Sequence, residues 1–434
     1  MGVVDASRDG EQRRTLHKLT PAVATAIDPL TPDSEKVFQR EKLGVYVHFP
    51  WCLQKCPYCD FLSIPAERAA IPHAAYADAV LAELGRRRRA APSDDLGSVF
   101  FGGGTPSLWQ PRELGRVLRA ILDSFQASPS SVEVTVECNP SSFDEGVARA
   151  LLDVGVNRIS IGLQSLDAER LRFLGRLHDP SGGLRAVESA IVAGVPRVSA
   201  DLIFGVVGQE PETAAVEARR VADTGLTHLS AYALTIEPNT RFGTLARKGR
   251  LPLLGEQSVA KSFETVHDAL TGTGFEHYEV SNYARDGHEA RHNLGYWRGN
   301  DYIGIGLGAW GTVTDGGRRV RYRNTAAADR YISGASDWAT IDLERAGPGS
   351  LVSEVETING ETQLAERLML GLRLAKGVDV EIAARQVGAE PWPAERRRAV
   401  ERMIERGRIV REGSRLRIPI KAWLYADGTI AEVM

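Results

Sequence analysis

From Gly44 onward the chain alternates two patterns: short runs dense in β-branched and aromatic residues, and longer stretches whose apolar positions recur at helical spacing. The first pattern predicts strands at 44–48, 97–101, 132–137, 157–163, 197–204 and 227–233, with a further one at 276–281. The second predicts helices at about 73–86, 111–125, 144–154, 167–174, 183–193, 211–224 and 256–272. Strict alternation implies parallel strands joined by crossover helices, because parallel neighbours cannot be linked by a tight turn. The number of units suits an α/β barrel, complete or incomplete, better than a short doubly wound sheet. In such barrels the chemistry lies on the loops that follow the strand C-termini.

The flanks read differently. Residues 1–43 are polar, contain Pro21, Pro29 and Pro32 and show no sustained period, which predicts an extended arm. Residues 282–335 are rich in glycine and aromatics, so irregular structure or short strands are expected there. Beyond about 360 the pattern predicts helices at 361–374, 378–386 and 394–405, then a strand-turn-strand at 408–418 around Glu412-Gly413-Ser414. That order suits a small helical, winged-helix-like domain. The organisation expected is an arm at 1–43, a barrel with a glycine-rich extension at 44–335, and a linker with a C-terminal domain at 336–434.

Composition narrows the partners. A formal net charge of −3 offers no general phosphate-binding surplus, and Arg86 to Arg89 end a predicted helix where cations complement its dipole, so no nucleic acid is expected. No run reaches the roughly 18 apolar residues of a membrane span. Met1 to Arg14 lack the apolar core of a secretory signal, so a reducing cytoplasmic setting is expected. Clustered cysteines there read as metal ligands rather than disulfides.

The chain has four cysteines, and three of them, Cys52, Cys56 and Cys59, fall in one run at C-x3-C-x2-C spacing. Three thiolates on a tight loop can hold three corners of an iron–sulfur cubane and leave the fourth iron open to an exchangeable molecule, whereas structural zinc closes with four protein ligands. Reduced buried cysteines, or a zinc knuckle completed by a distant histidine, are the alternatives. Cys138 stands apart and reads as a small buried residue. Phe101-Gly102-Gly103-Gly104-Thr105-Pro106 follows the second predicted strand, where glycines let backbone approach a ligand, although a plain turn has the same composition. Glu137, Gln164 and Asp201 end successive strands and would together line a polar pocket, although each alone suits a barrel polar residue or a cap.

The cysteine loop preceded by Tyr46-Val47-His48-Phe49-Pro50-Trp51, together with Gly103-Gly104-Thr105-Pro106, resembles the radical S-adenosylmethionine superfamily. From 44 to about 420 the chain resembles the oxygen-independent coproporphyrinogen III oxidase-like family. The resemblance implies an incomplete TIM-type barrel and a 4Fe-4S cluster on Cys52, Cys56 and Cys59, with S-adenosylmethionine at the open iron. It further implies S-adenosylmethionine contacts from Tyr46, Tyr58, Gly103, Gly104, Thr105, Glu137, Gln164, Arg176, Asp201 and Ala233. Val207-Gly208-Gln209 departs from the family's Pro-Gly-Gln.

Within that family the decarboxylating oxidases carry a further cysteine two residues past the third ligand, where this chain has Phe61. The haem-chaperone-like members instead resemble the run seen here, and His292-Asn293-Leu294-Gly295-Tyr296-Trp297 is similar to their H-N-x-x-Y-W signature. The resemblance thus implies a protein that binds haem and passes it to apo-haemoproteins, including respiratory enzymes at the inner face of the membrane. Coproporphyrinogen III oxidase chemistry is the alternative, and an electron donor is required wherever S-adenosylmethionine is cleaved. His292 is the candidate haem contact, because neutral imidazole ligates haem iron, with a hydrogen-bonded core histidine as the other reading. A homodimer fits the group, though no residue pattern demands one.

Overall fold

The computed structural model describes residues 42–434 except 92, 316 and 348. The polar arm expected at 1–43 lies, up to residue 41, outside the described residues.

Six parallel strands follow one another in space as in sequence: β1 (Leu43–Phe49), β2 (Leu96–Gly103), β3 (Glu133–Cys138), β4 (Arg158–Gln164), β5 (Arg197–Phe204) and β6 (His228–Ala233). A helix crosses between each neighbouring pair, within a residue or a few of the positions that periodicity predicts. Helix Pro111–Ser124 illustrates why: Leu114, Val117, Leu118, Ile121 and Leu122 recur on one stripe and are buried against the sheet. Helix starts are fixed by Asp144, Asp167 and Asp179, whose carboxylates accept from first-turn N–H groups. Along β1 the pleat sends Val45, Val47 and Phe49 into the helix layer, where Phe49 stacks on Trp109. Tyr46 and His48 take the other face.

The sheet continues on both sides. Beyond β6 lie β7 (Glu276–Glu279) and β8 (Asn282–Ala284), antiparallel to each other, with β8 antiparallel to β6. The strand expected at 276–281 therefore stops at Glu279 and turns back. On the other side β9 (Tyr302–Gly306) runs parallel to β1, and β10 (Trp310–Asp315), β11 (Arg318–Asn324) and β12 (Val352–Ile358) extend the sheet antiparallel. The full order is β12-β11-β10-β9-β1-β2-β3-β4-β5-β6-β8-β7, with no pairing between its ends: an incomplete barrel. The glycine-rich stretch thus takes the short-strand form, one of the two expected of it, and the His292 run forms helix Arg291–Arg298.

C-terminal helices Gly360–Gly371, Val380–Val387 and Ala394–Glu405 and the hairpin Val410–Glu412/Arg415–Arg417 occur as expected. Leu364, Leu368, Val400, Met403, Leu416 and Trp423 form a core of their own there, and helix Ala426–Val433 was not anticipated. Among the described residues, no helix is long and apolar enough to cross a membrane.

Candidate functional site

The cysteine loop leaves the C-terminal end of β1 and is clamped at both ends. Ile64 N–H donates to Pro50 O at 2.8 Å and Ala66 N–H to Cys52 O at 2.9 Å. Inside the loop Cys59 N–H closes a turn on Cys56 O at 3.2 Å, and Phe242 N–H donates to Pro57 O at 2.8 Å. The glycine run at the end of β2 braces the same loop: Gly104 N–H reaches Phe49 O at 2.7 Å and Thr105 N–H reaches Trp51 O at 2.8 Å. Gly103 has φ of 107°, a conformation that favours glycine. The Thr105 hydroxyl then donates to Cys52 Sγ at 3.3 Å.

Beside the three thiols opens a cavity of about 410 Å³. Of the residues the resemblance nominates, Cys52, Cys56, Cys59, Tyr58, Gly103, Gly104, Thr105, Glu137, Gln164, Arg176, Asp201 and Ala233 all line it. Apart from Arg176, which follows helix Ala168–Phe173, they come from the loop and from β2, β3, β4, β5 and β6 or the residues just after them, so parallel strand order is what gathers them. Tyr46 does not line the cavity. It lies on the adjoining inner face of β1, with its hydroxyl 2.9 Å from His48 Nδ1 and its ring stacked on Phe100.

Electrostatics at the cavity are set by desolvation and by close charges. Burial, then the neighbouring Asp201, pushes the Glu137 carboxyl up to about 7, while its Oε2 accepts from Gly103 N–H at 3.1 Å. Asp201 is raised by burial and receives Ser160 Oγ–H at 3.3 Å. Arg176 donates from Nη1 to Cys56 Sγ at 3.5 Å and from Nη2 to Gly162 O at 2.8 Å, and its buried Nε has no hydrogen-bond partner. Gln164 is held at φ 67°, a strained value for a non-glycine residue, which turns its amide toward the same space.

The donor set fits a cubane. The three cysteines are free and half-buried, and burial raises the Cys52 thiol and pushes the Cys59 thiol up to about 11. A metal group must therefore displace thiol protons as it binds. Among the described residues no three His, Cys, Asp or Glu side chains converge on a single point. A cubane asks each thiolate for a separate iron. Cys138 is a small buried residue, as expected, with its thiol donating to Val136 O, and it too lines the cavity.

His292 is separated from this cavity. Its side chain is only 4 % exposed, Nδ1 pairs with Ser98 Oγ at 2.8 Å, and its backbone N–H donates to Glu133 at 3.1 Å. Phe100 stacks on the ring, Tyr296 meets it edge-on, and burial holds the imidazole neutral, its pKa lowered to about 3. His292 is thus enclosed as a core histidine is, while its buried Nε2 has no hydrogen-bond partner. Sequence reasoning in turn passed over Tyr232, Ser160 and Lys55, which line the cavity. Strand parity would have found Tyr232, since it shares the inward face of β6 with His228 and Ser230.

A strand-end thiol loop over a partial barrel defines the class, and residues 46–219 match the family model of the Radical SAM superfamily. Residues 358–425 match that of the HemN C-terminal domain. The chain belongs to the HemW family. It is 39% identical over 307 residues to the Escherichia coli protein named heme chaperone HemW, covering 70% of this chain and 79% of that one. The protein of the same name from Mycobacterium tuberculosis strain H37Rv is 33% identical over 398 residues, covering 91% and 95%. In fold, the chain matches coproporphyrinogen III oxidase (HemN) from Escherichia coli with a TM-score of 0.73 at 20% identity, over 91% of this chain and 90% of that one.

Proposed function

We propose that this chain is a haem chaperone: it binds haem and hands it to apo-haemoproteins, and it carries a 4Fe-4S cluster on Cys52, Cys56 and Cys59 with S-adenosylmethionine at the open iron. The observation that carries the reading is the joint one. Three free thiols face a cavity built from successive strand ends, while Phe61 occupies the place of the further cysteine that the oxidases carry. The bound cluster would supply one-electron chemistry to S-adenosylmethionine. The chain's own residues have simpler tasks. Gly103, Gly104 and Thr105 would cradle the ligand's polar end with backbone groups, Glu137 and Asp201 would accept hydrogen bonds from it, and Arg176 would offer positive charge beside Cys56.

The proposal extends to respiratory enzymes among the acceptors, an electron donor where S-adenosylmethionine is cleaved, a homodimer, and a cytoplasmic location at the inner face of the membrane. It also places the three-part division at 43 and 335, with the C-terminal domain distinct in role from the barrel.

Anaerobic reconstitution tests the reading. The parent protein should become brown and show a Soret band with haemin, and Cys56→Ser should lose most of its iron and sulfide. Full cluster content in that variant would remove the ligand assignment. With coproporphyrinogen III, S-adenosylmethionine and a reductant the loaded protein should give little decarboxylation, and many turnovers would restore the oxidase alternative.

A further inference from the structure

Gln164 reaches the cavity through an irregular end of β4. The register with β5 slips there: Gly162 pairs with Asp201 but Gln164 pairs with Leu202, which leaves Leu163 as the extra residue of a bulge. Bulges of this kind re-aim the side chain beside them. The Gln164 Nε2 atom lies against Gly162, 2.8 Å from where a Cβ on that glycine would stand, and both residues line the cavity. The backbone conformation that allows this, φ 67°, is one a non-glycine residue keeps only where its surroundings over-determine it.

The surroundings converge on one carboxylate. Glu217, buried on helix Pro211–Ala222, does not line the cavity. Its Oε1 accepts from Ser165 Oγ at 3.1 Å, from Leu166 N–H at 3.1 Å and from Arg170 Nη2 at 2.6 Å, so it grips the residues that directly follow Gln164. Its Oε2 accepts from Gln209 Nε2 at 3.3 Å, and Gln209 Oε1 accepts from Gly205 N–H at 2.9 Å. Gln209 is the residue that the Val207-Gly208-Gln209 run keeps of the family's Pro-Gly-Gln, and here it ties the turn after β5 to the turn after β4. Without the carboxylate, buried Leu166 N–H and Arg170 donors lose their acceptor, and the turn is free to relax away from the positive φ.

We infer that Glu217 is a positioning residue for the cofactor cavity: by holding Ser165 and Leu166 it fixes the backbone of Gln164 and so keeps the Gln164 amide at bound S-adenosylmethionine. The inference rests on the reading, proposed above, that S-adenosylmethionine occupies this cavity.

The test is anaerobic calorimetric titration of cluster-loaded full-length protein with S-adenosylmethionine, alongside iron and sulfide analysis. Glu217→Ala should weaken binding about tenfold with iron and sulfide content unchanged. Glu217→Gln, which keeps the shape and one acceptor oxygen but sets its NH2 against Gln209 Nε2, should weaken binding only about threefold. Gln164→Gly separates positioning from general damage, because glycine adopts φ 67° without strain and carries no amide to be placed. Affinity should fall in that variant, and adding Glu217→Gln to it should cause no further loss. Losses that multiply in the pair would overturn the inference, as would parental affinity in both Glu217 variants or a parallel loss of cluster iron in Glu217→Gln. A parent protein that carries its cluster and binds no S-adenosylmethionine overturns the occupancy reading itself, whereas a binding parent with indifferent variants overturns the role of Glu217 alone.

Discussion

Gly104→Ala is the substitution that most directly probes how the barrel positions the cysteine loop. A Cβ built on Gly104 would lie 2.6 Å from both Pro50 C and Pro50 O and 2.7 Å from Trp51 O. All three are backbone atoms, so no rotamer change relieves the overlap, and the strand end and the loop must move apart. Overpacking of this kind costs about 1–3 kcal/mol. The smaller conformational entropy of an unfolded alanine returns about 0.4–1 kcal/mol, which leaves a net loss on the order of 1–2 kcal/mol. The displacement also stretches the bonds from Gly104 N–H to Phe49 O and from Thr105 N–H to Trp51 O, and with them the contact of Thr105 Oγ1 with Cys52 Sγ. Cluster loading should therefore fall as well as stability. The assay is urea unfolding of the cluster-free protein, followed by iron and sulfide analysis after anaerobic reconstitution. Gly85→Ala is the control: Gly85 is exposed within helix His73–Arg89, nothing lies within 4 Å of its Cβ position, and the change should stabilise the helix by about 0.5–1 kcal/mol. Parental stability with full iron content in Gly104→Ala would refute the close apposition on which the site is built.

Two further outcomes test the packing around the site. Glu83 is fully buried and accepts from Arg87 Nε, Asn324 Nδ2, Gly306 N and Tyr331 Oη, so Glu83→Ala strands the Arg87 guanidinium and should cost about 3–5 kcal/mol in urea unfolding; a loss under about 1 kcal/mol would show the network to be dispensable. Glu279 is fully buried, neither carboxylate oxygen reaches a partner in hydrogen-bond geometry, and burial pushes its carboxyl from 4.5 up to about 7 despite partial offset by Ser281, Asn282 and Trp297. The native state then holds a proton that the unfolded chain has released. Its contribution is fully present below pH 4.5 and is lost as pH rises toward 7, up to about 3 kcal/mol in all. Glu279→Gln should flatten the fall in stability across that window, and an unchanged slope in unfolding measured from pH 5 to 7 would exclude Glu279 as its source.

The repeating units were legible because both of their periods are local. A strand with both faces covered reads as a β-branched run, and a helix laid on it reads as an apolar stripe, so β1 to β6 and their crossovers could be placed from adjacent residues alone. The glycine-rich stretch was not legible in that way. β9, β10 and β11 owe their regularity to pairing with β1 and with one another, and glycines there mask the apolar alternation on which a sequence reading depends. The final helix, Ala426–Val433, was missed for a related reason: it is a short element that packs against a core formed by distant residues.

The C-x3-C-x2-C spacing by itself determined that three sulfur donors share one loop, because eight residues of chain cannot carry them far apart. The sequence also determined which strands carry Glu137, Gln164 and Asp201. Only the tertiary structure decided that these residues meet, since parallel order brings positions far apart in the chain to neighbouring strand ends. It likewise enclosed His292 and brought Tyr232 to the cavity. Burial and orientation are properties of how elements pack, and a motif specifies only which side chains are present to be packed.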